Sequence, residues 1–144
     1  KNISENNAQE YVFGYCIVND ISERSWQKER GGQWIKGKSI AGPCGPYLVT
    51  KDEIKDINDI NLTLDVNGQR RQTGNTERMI FNFNFLISHI SQFMTLYPGT
   101  IITTGTPAGT AMEMSVPKFL IANDKLNLKV DYLGEQNQVV IDES

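Results

Sequence analysis

The stretch Asn61 to Gly68 reads N-L-T-L-D-V-N-G, and it constrains the fold more tightly than any other segment. Leu62, Leu64 and Val66 fall at every second position, so an extended chain places all three on one face. Asn67-Gly68 follows at once. A two-residue type I′ turn needs positive φ at both central residues, and Asn-Gly supplies it at least cost, so the segment predicts a β-hairpin. Such a hairpin is marginal in water by itself, and its apolar face has to be covered by further strands or a helix. Gln69 to Gln72 returns from the turn and is polar on both faces, which predicts an exposed edge.

The remaining pattern supplies the cover. Tyr11 to Asn19, YVFGYCIVN, is rich in β-branched and aromatic residues and reads as a buried strand. Tyr47 to Thr50 is a short strand, Thr100 to Thr104 (TIITT) a central one, Leu126 to Tyr132 an alternating one, and Val139 to Ile141 the last. Thr76 to Met94 holds the main helix, with Phe83, Leu86, Ile87, Ile90, Phe93 and Met94 as its apolar stripe and Pro98-Gly99 beyond its end. Ser22 caps a short helix through Gln27, and Glu29 to Ser39 is a Gly- and Lys-rich loop. Residues 1–10 read as a polar lead-in to a domain over 11–144. Many strands with one substantial helix define an α+β class, mostly β.

Composition narrows the function classes. The 144 residues amount to one domain, and 14 Lys plus Arg against 17 Asp plus Glu leave a net charge of −3. A mildly acidic chain lacks the footprint of a nucleic-acid partner. No apolar run approaches the roughly 20 residues of a membrane span, and Lys1 to Glu10 has no signal-peptide core. A first residue of Lys, not Met, suggests a processed or partial chain. The two cysteines, Cys16 and Cys44, have no C-x-x-C spacing, which argues against a structural zinc site. They allow one bridge, but the chain reads as a cytoplasmic protein with two reduced thiols. His89 is the only histidine, so no mechanism here uses two, and any metal ligands are mostly oxygens, suited to a hard cation.

Several residues carry both a chemical and a structural reading. Asp20 ends an apolar strand, where a carboxylate is held rigidly at a sheet rim; it serves as a metal ligand or caps the following helix. Gly32 to Ser39 reads G-Q-W-I-K-G-K-S and formally matches a P-loop, but no strand precedes it and no helix follows, so the match is rejected. Lys38 is then a functional cation or a solvated loop lysine. Gly105-Thr106-Pro107-Ala108-Gly109 lets a backbone approach a ligand while Thr106 offers a hydroxyl and an N–H, which suits a carboxylate; otherwise it is a plain turn. His89 lies on the flank of the helix stripe, as a surface or core-edge residue. Trp26 and Trp34 pack in the core or line a pocket.

Taken in order, these blocks resemble the fumarylacetoacetate hydrolase family. The resemblance is carried by G-Y-C-I-V-N-D-I-S-E-R-S-W-Q (Gly14 to Gln27), G-K-S (Gly37 to Ser39), G-P-Y-L-V-T (Gly45 to Thr50), V-N-G-Q-R-R-Q-T-G-N-T-E-R-M-I-F (Val66 to Phe81) and S-Q-F-M-T-L-Y-P-G-T-I-I-T-T-G-T-P-A-G (Ser91 to Gly109). Glu29 to Lys38 and Leu133 to Gln138 look most similar to the 2,4-diketo-3-deoxy-L-fuconate and -rhamnonate hydrolases, and the bacterial ureidoglycolate lyase-like class looks similar too. The resemblance implies a mixed β-roll or distorted barrel, a homodimer, and hydrolytic C–C cleavage of a 2,4-dioxo acid with release of pyruvate. It implies Mg²⁺ or Mn²⁺ held by three carboxylates, because an enolate develops and needs a cation beside it. Asp20 matches the third of those ligands. Lys38 matches the lysine that stabilises developing negative charge, Gln27 a substrate-contacting glutamine, and Thr106, beside Gly105, the threonine that holds the substrate carboxylate.

The departures matter equally. The family's Glu-X-Glu metal pair and the helix with its water-activating His/Glu pair stand upstream of the GY…ND block, and neither occurs in this sequence; Glu5 and Glu10 have the wrong spacing. Between Lys38 and Gly45 the chain is about two residues shorter than the family pattern, and an Asp-Thr pair is absent. Thr100 and Asn123 depart in turns. Two function classes follow: the C-terminal catalytic part of a metal-dependent hydrolase, impaired as it stands, or a non-catalytic binding or dimerising module.

Overall fold

The computed structural model describes residues 1–25 and 42–142. The hairpin forms as the sequence requires. β3 (Asn61–Val66) turns at Asn67 and Gly68, with φ of 52° and 75°, into β4 (Gln69–Asn75). Two further strands, β5 (Lys125–Val130) and β6 (Gly134–Val139), complete an antiparallel sheet of order β4-β3-β5-β6. β4 is therefore an edge, as its polar sequence predicts. β1 (Gly14–Tyr15) and β2 (Val49–Thr50) make a second, two-stranded antiparallel sheet. The class is α+β and mostly β, and the sheets of the described residues are open and do not close a barrel.

The larger core lies against the inner face of the four-stranded sheet. Ile17, Ile54, Ile60, Leu128 and Leu133 are buried together, with Leu64 and Val130 packed beside them. Alternation explains why: Leu64 pairs with Leu128 across the ladder, and both face inward. The second core is built on α1 (Phe83–Phe93), where Ile87 meets Ile3 and Ala8.

That contact corrects the reading of residues 1–10 as a lead-in. A 3₁₀ helix over Glu5–Tyr11 buries Ala8 completely. The fully buried Ser91 of α1 accepts a hydrogen bond from the Ile3 N–H at 2.9 Å through its hydroxyl, and its carbonyl accepts the Asn2 N–H at 2.9 Å. Apolar residues are too sparse here to reveal the packing by periodicity.

Other elements also differ from expectation. The strand expected over Tyr11 to Asn19 shrinks to β1 and an isolated bridge between Val18 and Cys44, with Phe13 71% exposed. Helix Thr76 to Met94 splits, because asparagine side chains cap twice: Asn75 accepts from the Glu77 N–H and Asn82 from the Phe85 N–H, each at 2.8 Å. Its stripe is only partly core. Phe93 is 73% exposed and ends a row of rings, Phe81, Phe85, His89 and Phe93, along the outer face of the helix. Thr100 to Thr104 has no ladder partner among the described residues and is mostly exposed. The last strand, β6, ends at Val139, where the sequence reading begins it.

Burial sets the expected mutational contrast. Ile60 is 1% exposed. Ile60→Ala is expected to lower stability by about 2–5 kcal/mol, whereas Phe93→Ala changes it by only about 0.5 kcal/mol. Urea unfolding of the two variants checks the ranking, and a larger loss in Phe93→Ala would contradict it.

Candidate functional site

Two buried glutamines build the site. The first, Gln72, stands on edge strand β4. The β3–β4 register shifts between Leu64, opposite Gln72, and Asp65, opposite Arg70, so Arg71 is an extra, bulged residue. A bulge breaks the alternation of faces, and Arg71 and Gln72 consequently both line one cavity of about 1340 Å³. The Gln72 amide donates to the Thr106 hydroxyl at 2.9 Å and to the Pro107 carbonyl at 2.8 Å. A threonine hydroxyl that accepts one bond keeps its own proton to donate. Gln72 therefore presents Thr106 as a donor, the polarity a carboxylate needs.

The loop itself is seated tightly on β4. A Cβ on Gly109 would lie 2.0 Å from the Arg71 carbonyl oxygen, and φ there is +107°, so only glycine fits. Gly74 likewise leaves room for the Pro107 ring, which a Cβ would meet at 2.9 Å. At the far end the Glu113 carboxylate accepts the N–H groups of Gly109 at 2.6 Å and Thr110 at 2.8 Å. These backbone hydrogen bonds, that from Thr110 first, hold the Glu113 carboxyl below its ordinary range.

The second glutamine, Gln136 on β6, spreads one amide over three carbonyls: Gly45 at 2.7 Å, Pro43 at 3.2 Å and Ile17 at 3.3 Å. Its own carbonyl accepts from Gln138 at 2.7 Å, and Gln138 in turn accepts from Asn19 at 2.7 Å. The chain of amides fixes the segment that ends in Asp20, and the Asn19 N–H adds a bond to the Pro43 carbonyl at 3.1 Å.

Of the residues singled out from sequence, Asp20, Gly105 and Thr106 line the same cavity. Gln27, Lys38, Trp26 and Trp34 lie outside the described residues, so only Ser22 to Ser25 of the helix expected from Ser22 are seen, and there the Glu23 carboxylate, not the Ser22 hydroxyl, accepts the Ser25 N–H at 2.9 Å. His89 is exposed and does not line the cavity. Gln72, Gln136 and the bulged Arg71 escaped the sequence reading. Their one signal is glutamine in inward phase: in G-E-Q-N-Q-V, Gln136 follows the alternation of Leu126 and Leu128 opposite. The polar pattern of residues 69–72 predicts an exposed Gln72, but it is 8% exposed, because the loop 105–109 covers this edge.

Among the described residues no three His, Cys, Asp or Glu side chains gather where they could hold a metal ion. Asp20 is a single carboxylate, and a hard cation needs several oxygens. The described residues therefore do not fit a divalent cation unaided.

Residues 1–141 match the family described as fumarylacetoacetate (FAA) hydrolase C-terminal, and the chain belongs to the fumarylacetoacetate hydrolase family. It is 50% identical over 141 residues to a Burkholderia ambifaria protein provisionally named as a hydrolase, covering 96% of this chain and 50% of that protein. The chain thus spans about half the length of the curated relatives it matches. Among solved structures, a fumarylacetoacetate hydrolase from psychrophilic Exiguobacterium antarcticum superposes with a TM-score of 0.91 at 36% identity, over 99% of this chain and 52% of that one. A maleylpyruvate hydrolase from Sphingobium sp. SYK-6, in complex with manganese(II) and pyruvate, gives 0.85 at 28% identity, over 100% and 50%. A 5-carboxymethyl-2-hydroxymuconate delta-isomerase from Mycobacterium smegmatis gives 0.87 at 32% identity, over 100% and 54%.

Two outcomes test the construction of the loop. Gln72→Leu leaves the Pro107 carbonyl without this donor and is expected to cost about 1–3 kcal/mol, read by urea unfolding. For Glu113, a folded value below the ordinary one means that its bonds stabilise the loop in full above about pH 4.3. That stabilisation fades as pH falls through the lower, folded value. The Gly109 and Thr110 amide proton shifts should therefore titrate below the ordinary glutamate range and stay flat in Glu113→Gln. Titration at or above that range would contradict the assignment.

Proposed function

We propose that this chain carries the substrate-carboxylate seat and one metal-binding carboxylate of a hydrolase that cleaves a C–C bond in a 2,4-dioxo acid and releases pyruvate. The observation that supports this reading best is the convergence of Asp20 and a donor-oriented Thr106 on one cavity. In this reading the Thr106 hydroxyl and the open face of Gly105 bind the 2-oxo acid's carboxylate. A Cβ at Gly105 would meet nothing within 4 Å, so a ligand can approach the backbone there. Gln27 contacts the substrate, and Lys38 places positive charge beside the oxygen on which negative charge develops. Asp20 offers one carboxylate to Mg²⁺ or Mn²⁺, with the remaining ligands beyond the described residues.

The family's reach supports the reading and also limits it. The manganese and pyruvate of the Sphingobium enzyme belong to that protein and favour a divalent cation and a 2-oxo acid here. A 2,4-diketo-3-deoxy sugar acid is the proposed substrate, from the resemblance of residues 29–38. A lyase, decarboxylase or isomerase of the same family is a second reading, favoured by the isomerase neighbour. A non-catalytic binding or dimerising module is a third, favoured by the lack of a metal-binding cluster among the described residues. The proposed assembly is a homodimer. The proposed setting is the cytoplasm, without nucleic-acid or membrane partners, and no helix among the described residues is long and apolar enough to cross a membrane.

Paramagnetic NMR separates these readings. Oxalate, a mimic of the pyruvate enolate, is titrated into the 144-residue chain with Mn²⁺ present. Weak binding should shift the Gly105 and Thr106 amides, with broadening centred on Asp20 that disappears in Asp20→Ala. Broadening centred elsewhere, or unchanged in Asp20→Ala, would sink the assignment of Asp20. Cleavage of an acylpyruvate should be far slower than by a relative of twice the length; equal rates would refute impairment.

A further inference from the structure

Cys16 and Cys44 are far apart in sequence but adjacent in space. Their sulfurs lie 3.4 Å apart, across 28 residues of chain, and neither is in a disulfide. The contact is held from both sides. Val18 bridges to Cys44, the Gly45 N–H donates to the Ile17 carbonyl at 3.0 Å, and Gln136 ties the carbonyls of Ile17, Pro43 and Gly45 together. Antiparallel pairing around Val18 and Cys44 sets Cys16 diagonally across from Cys44, within reach of its side chain.

The two thiols are unequal. Cys44 is exposed, whereas Cys16 is partly covered and lines the cavity with Asp20. Burial, reinforced by the Cys44 sulfur beside it, pushes the Cys16 thiol up to about 11. Exposure thus makes Cys44 the one that meets an oxidant, with a second thiol already in contact to receive the product.

We propose that Cys16 and Cys44 form a reversible oxidation site, in which hydrogen peroxide converts the pair to an intramolecular disulfide. The Cys44 thiolate attacks one peroxide oxygen, the O–O bond breaks, and Cys44 becomes a sulfenic acid as the first water leaves. The Cys16 sulfur then attacks the Cys44 sulfur. The S–S bond forms, the S–O bond breaks, and the departing hydroxide takes the Cys16 proton as the second water. The two cysteines lose two electrons and two protons, and the peroxide is reduced to two waters. Once Cys44 is a neutral sulfenic acid, its charge no longer opposes ionisation of Cys16. The new bond joins both ends of the segment that carries Asp20, Gln27 and Lys38. Its bearing on catalysis rests on the function proposed above; its formation does not.

The test is covalent and needs no turnover. The reduced 144-residue chain is treated with hydrogen peroxide, quenched, alkylated and mapped by mass spectrometry. Both thiols should be lost together in a chain that stays monomeric on a non-reducing gel, with the Cys16 and Cys44 peptides linked and dithiothreitol restoring both. In Cys44→Ser, oxidation of Cys16 should slow by roughly tenfold or more. Disulfide-linked dimers, a sulfinic Cys44 with Cys16 still a thiol, or no bridge at a peroxide level that oxidises the urea-unfolded chain would each overturn the proposal. So would unchanged Cys16 oxidation in Cys44→Ser.

Discussion

The carboxamide of Gln72 is the interaction on which the candidate site depends. It stands on an edge strand, where unpaired backbone groups would otherwise face solvent, and it ties the loop 105–109 over that edge through Thr106 and Pro107. The bond to the Thr106 hydroxyl also gives that hydroxyl its polarity as a donor. Removing the amide would uncover the edge and release the loop together, so edge protection and ligand recognition share one group. The bulge at Arg71 makes this geometry available, because strict alternation would turn either Arg71 or Gln72 away from the cavity.

Gln136 plays the matching part for the segments that bring Ile17 and Pro43 to the cavity wall. A buried amide that serves three carbonyls is costly to leave unsatisfied, so the segments around Ile17, Pro43 and Gly45 are held in one arrangement. Asp20 and the Cys16–Cys44 contact both inherit their positions from it. The four-stranded sheet thus supplies one polar anchor from each edge strand, β4 and β6, and the cavity lies between the two anchored segments.

Much of the frame was legible in the sequence. Alternation at Leu62, Leu64 and Val66, the Asn-Gly turn, the polar return strand and the Leu126 to Val130 ladder all follow from period-two patterning and turn chemistry. The pairing of an aspartate at a strand end with the G-T-P-A-G loop was legible only through family resemblance, since each motif has an ordinary structural role when taken separately. The failures share one cause. TIITT has the composition of a central strand, but a ladder needs a partner, and none stands beside it among the described residues. Phe93 has helical phase, yet its neighbours on that face are the exposed rings of Phe81 and His89.

The sequence by itself determined the hairpin, the mostly-β class and the family. These depend on local sterics, on periodicity and on which residue types are present. Only the tertiary structure decided that Gln72 and Gln136 are buried anchors, that the first ten residues pack against α1, and that two distant cysteines touch. The physical reason is that a glutamine is polar in any sequence window. Whether its amide faces water or buried carbonyls is set by segments tens of residues away, and so is the distance between two thiols.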